Sequence, residues 1–214
     1  MNLPNKITVS RIVLILAMII AWFVLAFFPD LRVGTLGDSG INILYFVFAI
    51  VFIVAALTDM LDGKIARKYN LVTDLGKFLD PIADKLLNDA TMIFLLVPQV
   101  FACEQRRDPM MLTILAVCVI LMIARDLVVD ALRLIAVKKD IVIAANIFGK
   151  AKTVLQMIAI PMLLLNDWPF RLFDSNWPQA LQISNFFFYA ATIMSIVSGV
   201  IYVYQNRQVL KETK

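Results

Sequence analysis

The sequence predicts an all-α, polytopic integral membrane protein of six transmembrane helices around a cytoplasm-facing polar cavity. Three observations predict it. The chain of 214 residues is 61% hydrophobic and only 17% charged, whereas a soluble domain is about 45–50% apolar. Its apolar residues come in long uncharged blocks, and its basic residues gather on one side of the alternating connections.

The opening Asn2-Leu3-Pro4-Asn5 reads as a turn-like entry. Ile7, Val9 and Ile12 then alternate with Lys6, Thr8 and Arg11, which predicts an interfacial segment over about residues 2–11 before the first crossing. The first uncharged block, residues 12–29, is long and ends at Phe27-Phe28-Pro29-Asp30 with no small-x-small cleavage site. It is therefore a retained helix and not a removed signal peptide.

The further uncharged blocks are residues 39–58, 90–103, 109–124, 153–166 and 175–206. A helix needs roughly 20 residues to cross the hydrocarbon, and the first, second and last blocks suffice alone. The other three are shorter, and each runs on one side into helix-compatible sequence bearing charges. Asp80, Asp84, Lys85 and Asp89 precede the third; Arg125, Asp126, Asp130 and Arg133 follow the fourth; Lys150 and Lys152 precede the fifth. Helices that continue through these residues carry ionisable groups to membrane depth, where such groups face a bundle interior or a watery cavity. In the last block Phe186-Phe187-Phe188-Tyr189 lies too deep for an interface belt and reads as lipid-facing or bundle packing.

Of the 20 Lys and Arg residues, only Arg32, Arg106, Arg107 and Arg171 fall in the connections of one parity. The positive-inside rule then places both termini in the cytoplasm, in a multi-pass protein of the inner (cytoplasmic) membrane. The charged cavity opens to the same side. The net charge of +4 is explained by topology and anionic headgroups, with no nucleic-acid partner. Short connections predict a single domain over 1–214. Cys103 and Cys118 have no partner at ligand spacing and read as inert apolar residues.

The chemistry concentrates between residues 59 and 84. Asp59 and Asp62 are spaced i,i+3, and Asp80 and Asp84 i,i+4, so each pair shares one face of its helix. A short connection makes the two helices antiparallel neighbours. Four carboxylates at membrane depth oppose one another and resist desolvation, and divalent cations supply the missing positive charge. An all-oxygen aspartate cage suits Mg2+ or Mn2+ and not zinc. The chain has no histidine, so a general base for neutral-pH chemistry must come largely from a carboxylate. Gly63 and Ala66 leave space on the helix face, Gly76 clears the neighbouring helix, and Arg67 can fork onto a phosphate.

This stretch resembles the signature of the CDP-alcohol phosphotransferase family, D-x2-D-G-x2-A-R-x8-G-x3-D-x3-D. Asp59, Asp62, Gly63, Ala66, Arg67, Gly76, Asp80 and Asp84 occupy every fixed position. The resemblance implies a six-helix membrane fold, a homodimer, and a cytoplasmic cavity for a CDP-linked lipid. It implies that Asp59, Asp62 and Asp80 bind two divalent metals, with Asp84 beside them as general base. Asp59, Asp62, Gly63, Ala66, Arg67 and Gly76 would meet the CDP moiety of CDP-diacylglycerol.

Beyond the signature, residues 2–11, 76–86, 124–133 and 149–157 are similar to family members that use glycerol 3-phosphate. Those members usually read Arg-Glu-Phe and Thr-Gly-Leu-Arg in the fourth helix. Here Asp126 stands for the Glu, and Asp130-Ala131 for the Thr-Gly. An anionic acceptor also follows from the residues themselves. Arg125, Arg133, Lys150 and Lys152 border the expected cavity and form a cationic seat for a phosphate. Cardiolipin or phosphatidylinositol-phosphate synthesis are the alternatives within the class. A cation transporter would require inverted repeats or carboxylates facing both sides, and the sequence shows neither.

Overall fold

A computed structural model describes residues 2–28, 34, 36, 41, 43–69, 73–97, 108–139, 141, 143, 146–174 and 176–210. All regular structure among the described residues is helical: α1 (Leu3–Phe27), α2 (Ile43–Lys68), α3 (Asp74–Leu95), α4 (Pro109–Lys138), α5 (Ile147–Leu164), α6 (Arg171–Asp174) and α7 (Ile183–Gln205), with short 3₁₀ turns at Gln179–Leu181 and Arg207–Leu210. Of these, α1, α2, α4, α5 and α7 are long and apolar enough to cross a membrane. The buried share of their apolar windows is only 22–44%, so most of each window requires an apolar solvent. α3 is long enough too, but Asp80, Asp84, Lys85 and Asp89 lie along it. The chain is a multi-pass membrane protein, with five spans legible by composition.

Local chemistry accounts for the helix ends. Pro4 sits in the first turn of α1 and Pro109 in that of α4, where a missing N–H costs nothing. Asp108 caps α4, its carboxylate accepting from the Met110 amide at 3.4 Å. Thr73 caps α3, its Oγ1 accepting from the Gly76 amide at 3.1 Å, and Asp74 adds a favourable negative charge to that first turn. Pro81 lies inside α3, so the turn from Lys77 to Pro81, just before Asp84, forgoes one backbone hydrogen bond. The charges flanking the short apolar blocks all continue their helices: Arg125 to Arg133 lie within α4, and Lys150 and Lys152 within α5.

By its internal packing the chain divides into two compact units, residues 1–107 with 160–168, and residues 108–159 with 169–214. In the first, α1 packs on both α2 and α3. Ile15, Phe48, Phe52, Ala83, Leu87 and Met92 are buried there. Phe94 receives Trp22, Tyr45 and Phe48 edge-on, with ring centroids 5.8, 5.5 and 5.0 Å away. In the second unit, α4 packs along α7. The α7 face is built from Ser184, Phe188, Ala191, Ser195, Ser198, Gly199 and Tyr202, mostly small residues that permit close approach. Phe186 is exposed while Phe188 is fully buried, so the aromatic cluster serves lipid and bundle alternately. Cys118 is a buried free thiol on α4, and Cys103 lies outside the described residues.

Candidate active site

Helices α2 and α3 carry the aspartates, and the first turns of α1 reach both. On α2, Asp59 accepts at Oδ1 from Nη1 of Arg11 in a salt bridge. The Arg11 side chain is 2% exposed and that of Asp59 is 35% exposed. One turn earlier on α1, Thr8 Oγ1 donates to Oδ1 of Asp80 on α3 at 2.9 Å. A further turn back, Asn5 Nδ2 donates to Thr73 Oγ1 at 2.8 Å, and that hydroxyl donates to Asn5 Oδ1 at 3.0 Å.

Asn5, Thr8 and Arg11 are all buried. They lie at i, i+3 and i+6, which is one stripe of a helix. Read by two-residue alternation, residues 2–11 do not single this stripe out. The helical period does, because the three positions are the polar ones on the buried side of α1. Gly76 sits where the stripe meets α3, and a Cβ there would lie 3.0 Å from Asn5 Oδ1 and 3.3 Å from Thr73 Oγ1. The missing side chain admits α1 at this point.

Asp84 lies one turn after Asp80. Asn88, one turn further, donates through Nδ2 to Asp84 Oδ1 at 3.0 Å and to its backbone carbonyl at 2.9 Å. That holds the Asp84 side chain through one carboxylate oxygen. Gly63 is half-buried on α2. Asp62, Ala66 and Arg67 also lie on α2, but their side chains fall outside the described residues. Among the described residues no three metal-ligating side chains converge. The donor chemistry nonetheless fits a hard divalent cation: Asp59 and Asp80 are each held through Oδ1, which leaves Oδ2 outside that contact.

In the second unit, Asp126 gathers two of the expected cationic residues. Its Oδ1 accepts from Arg125 Nη1 at 2.8 Å, and its Oδ2 from Lys152 Nζ at 2.6 Å. Arg125 also donates through Nη2 to Ser198 Oγ at 2.6 Å and through Nε to the Ser195 carbonyl at 3.1 Å. Arg133 is held elsewhere, donating through Nε to the Tyr202 hydroxyl at 2.9 Å and lying 5.5 Å from that ring's centroid. Lys150 is exposed. The structure thus brings Arg125 and Lys152 together around one carboxylate, and Arg133 and Lys150 do not share in those contacts. Two cations against one anion leave a net positive charge that can receive an anionic group.

The family model for CDP-alcohol phosphatidyltransferase matches residues 1–201. The chain belongs to this family. Its members are transferases, and the match runs through both compact units, from the start of α1 into α7. The chain is 40% identical over 211 residues to a Bacillus subtilis protein named CDP-diacylglycerol–glycerol-3-phosphate 3-phosphatidyltransferase, covering 98% of this chain and 97% of that one. A Rickettsia bellii protein of the same name is 32% identical over 94% of this chain and 93% of its own length. An Arabidopsis thaliana relative, the second protein of that name there, is 36% identical over 75% of this chain and 66% of its own length. The matched stretch includes the aspartates of α2 and α3.

Proposed function

We propose that this membrane enzyme transfers a phosphatidyl group from CDP-diacylglycerol to glycerol 3-phosphate, giving phosphatidylglycerophosphate and CMP. The observation that carries the reading is 40% identity to the Bacillus subtilis transferase over nearly the full length of both chains. The complete aspartate signature on α2 and α3 supports it. In this reading α3 is a sixth crossing helix, its charges turned to a polar cavity open to the cytoplasm. Both termini lie on that side of the inner membrane, as the excess of Lys and Arg there favours. The family resemblance further favours a homodimer.

Asp59, Asp62 and Asp80 would hold two Mg2+ or Mn2+ ions, with Asp84 beside them as the general base. When bound, such ions neutralise charge developing on the pyrophosphate and on the departing CMP. The chain's own residues perform the rest. Gly63, Ala66, Arg67 and Gly76 seat the CDP moiety, with Arg67 as the forked partner for phosphate. The acceptor hydroxyl oxygen bonds to the phosphorus that bears diacylglycerol, and the bond from that phosphorus to CMP breaks. Asp84 takes the hydroxyl proton, its carboxylate oriented by the Asn88 amide. Arg125 and Lys152 offer the positive charge that seats the acceptor's phosphate, with Arg133 and Lys150 as outlying contributors.

The test is CMP release by the purified protein given CDP-diacylglycerol and a panel of acceptors. Glycerol 3-phosphate should support the fastest turnover. Faster release with glycerol, inositol phosphate or phosphatidylglycerol would overturn the acceptor assignment. Conduction of cations by the reconstituted protein, without CMP release, would overturn the enzyme reading.

A further inference from the structure

Two of the aspartates are held by the same short stretch of α1, although they stand on different helices. Thr8 meets Asp80 on α3, and Arg11, one turn along, meets Asp59 on α2. Both α1 residues are buried, Thr8 at 1% and Arg11 at 4% exposure over the whole residue. The stripe is anchored at its start by the two-way hydrogen bond between Asn5 and Thr73, which also caps α3. Gly76 has no side chain where the anchor passes. A helix turn spans about 5.4 Å along its axis, so Thr8 and Arg11 present two donors at a fixed separation.

We infer that this face of α1 is a clamp for the metal site, with Thr8 as a positioning residue that orients the Asp80 carboxylate. The inference rests on the metal role proposed for the aspartates. The hydroxyl takes Oδ1 of Asp80, which fixes the carboxylate plane and the direction of Oδ2. Groups that hydrogen-bond to a ligating side chain set its orientation, and their loss typically weakens metal affinity about 10- to 100-fold. Thr8 serves this role without a charge of its own, so removing its hydroxyl changes geometry and leaves the site's net charge unaltered. Arg11 does the corresponding work at Asp59 while also balancing one negative charge.

The experiment is a titration of the full-length, metal-stripped protein in detergent with Mn2+ alone, following free Mn2+ by electron paramagnetic resonance. The wild type, Thr8→Val, Thr8→Ala and Thr8→Ser are compared, and the thermal midpoint of each is recorded without metal. The expected result is a Kd for Mn2+ raised about 10- to 100-fold in Thr8→Val and Thr8→Ala. Thr8→Ser, which keeps the hydroxyl, should bind within about threefold of wild type. A wild-type Kd in Thr8→Val and Thr8→Ala, with or without a lower thermal midpoint, would make Thr8 a packing residue and overturn the clamp. No saturable Mn2+ binding in the wild type would overturn the metal reading itself, and the clamp with it.

Discussion

The stem of Arg125 crosses α7 directly over Gly199, so that a Cβ on that glycine would lie 2.7 Å from Arg125 Cγ. The contact is made by the middle of the side chain and not by its mobile tip. Arg125 Nε and Nη2 are meanwhile tied to Ser195 and Ser198, within the turn of α7 that precedes Gly199. The guanidinium can therefore not retreat without losing hydrogen bonds. Overpacking of this kind costs about 1–3 kcal/mol, while replacing a helical glycine by alanine returns roughly 0.5–1 kcal/mol. Gly199→Ala should accordingly lower the thermal midpoint of the purified protein. An unchanged or higher midpoint would show that α4 and α7 part freely here.

Arg125 itself is expected to act on the acceptor. Hydrogen bonds to Ser195, Asp126 and Ser198 engage three of the five guanidinium N–H groups, and the others can meet a phosphate. Loss of a charge-assisted contact costs roughly 1.5–3 kcal/mol, or about 10- to 150-fold in kcat/KM. Arg125→Ala should raise KM for glycerol 3-phosphate far more than KM for CDP-diacylglycerol. Arg125→Lys should recover only part, because an ammonium cannot fork. Steady-state kinetics varying each substrate in turn decide it, and equal damage to both KM values would make Arg125 a structural residue.

Asp84 and its neighbours should separate by what they lose. Asp84→Asn removes the proposed base and should slow turnover about 10²–10⁴-fold, with CDP-diacylglycerol binding largely kept. Asp59→Asn and Asp80→Asn should lose most turnover together with metal binding. Donor affinity and single-turnover rate measured on the same preparations distinguish the roles. Collapse of donor binding in Asp84→Asn would move that residue into the ligand set.

Metal removal gives the simplest check on the aspartates. Turnover should vanish with excess chelator and return on adding Mg2+ or Mn2+, whereas Zn2+ should restore little, since oxygen-only sites favour hard cations. Full activity after stripping with chelator would sink the metal assignment.

Much of this protein is determined by its sequence alone, because the terms involved are local or one-dimensional. Blocks of apolar residues dictate helices in lipid, since a backbone in hydrocarbon must satisfy its own hydrogen bonds. The spacing of Asp59 with Asp62 and of Asp80 with Asp84 sets which carboxylates share a helix face. The family resemblance needed no structure to be read, and the family match over residues 1–201 bears it out. Charges flanking short apolar blocks likewise told that α4 and α5 run through Arg125 and Lys152.

Tertiary structure decided which groups those charges meet. Thr8 and Asp80 are 72 residues apart, Arg11 and Asp59 are 48 apart, and Arg125 and Ser198 are 73 apart. No periodicity within one helix specifies a partner on another, because that depends on how the helices are rotated and shifted against each other. Alternation in residues 2–11 predicts a segment at the interface but does not tell that Asn5, Thr8 and Arg11 are buried on one stripe of α1. Asp126 reads in sequence as a departure from its family's pattern. In the fold it is the carboxylate between Arg125 and Lys152, a role assigned only by the approach of Lys152 on α5 to α4.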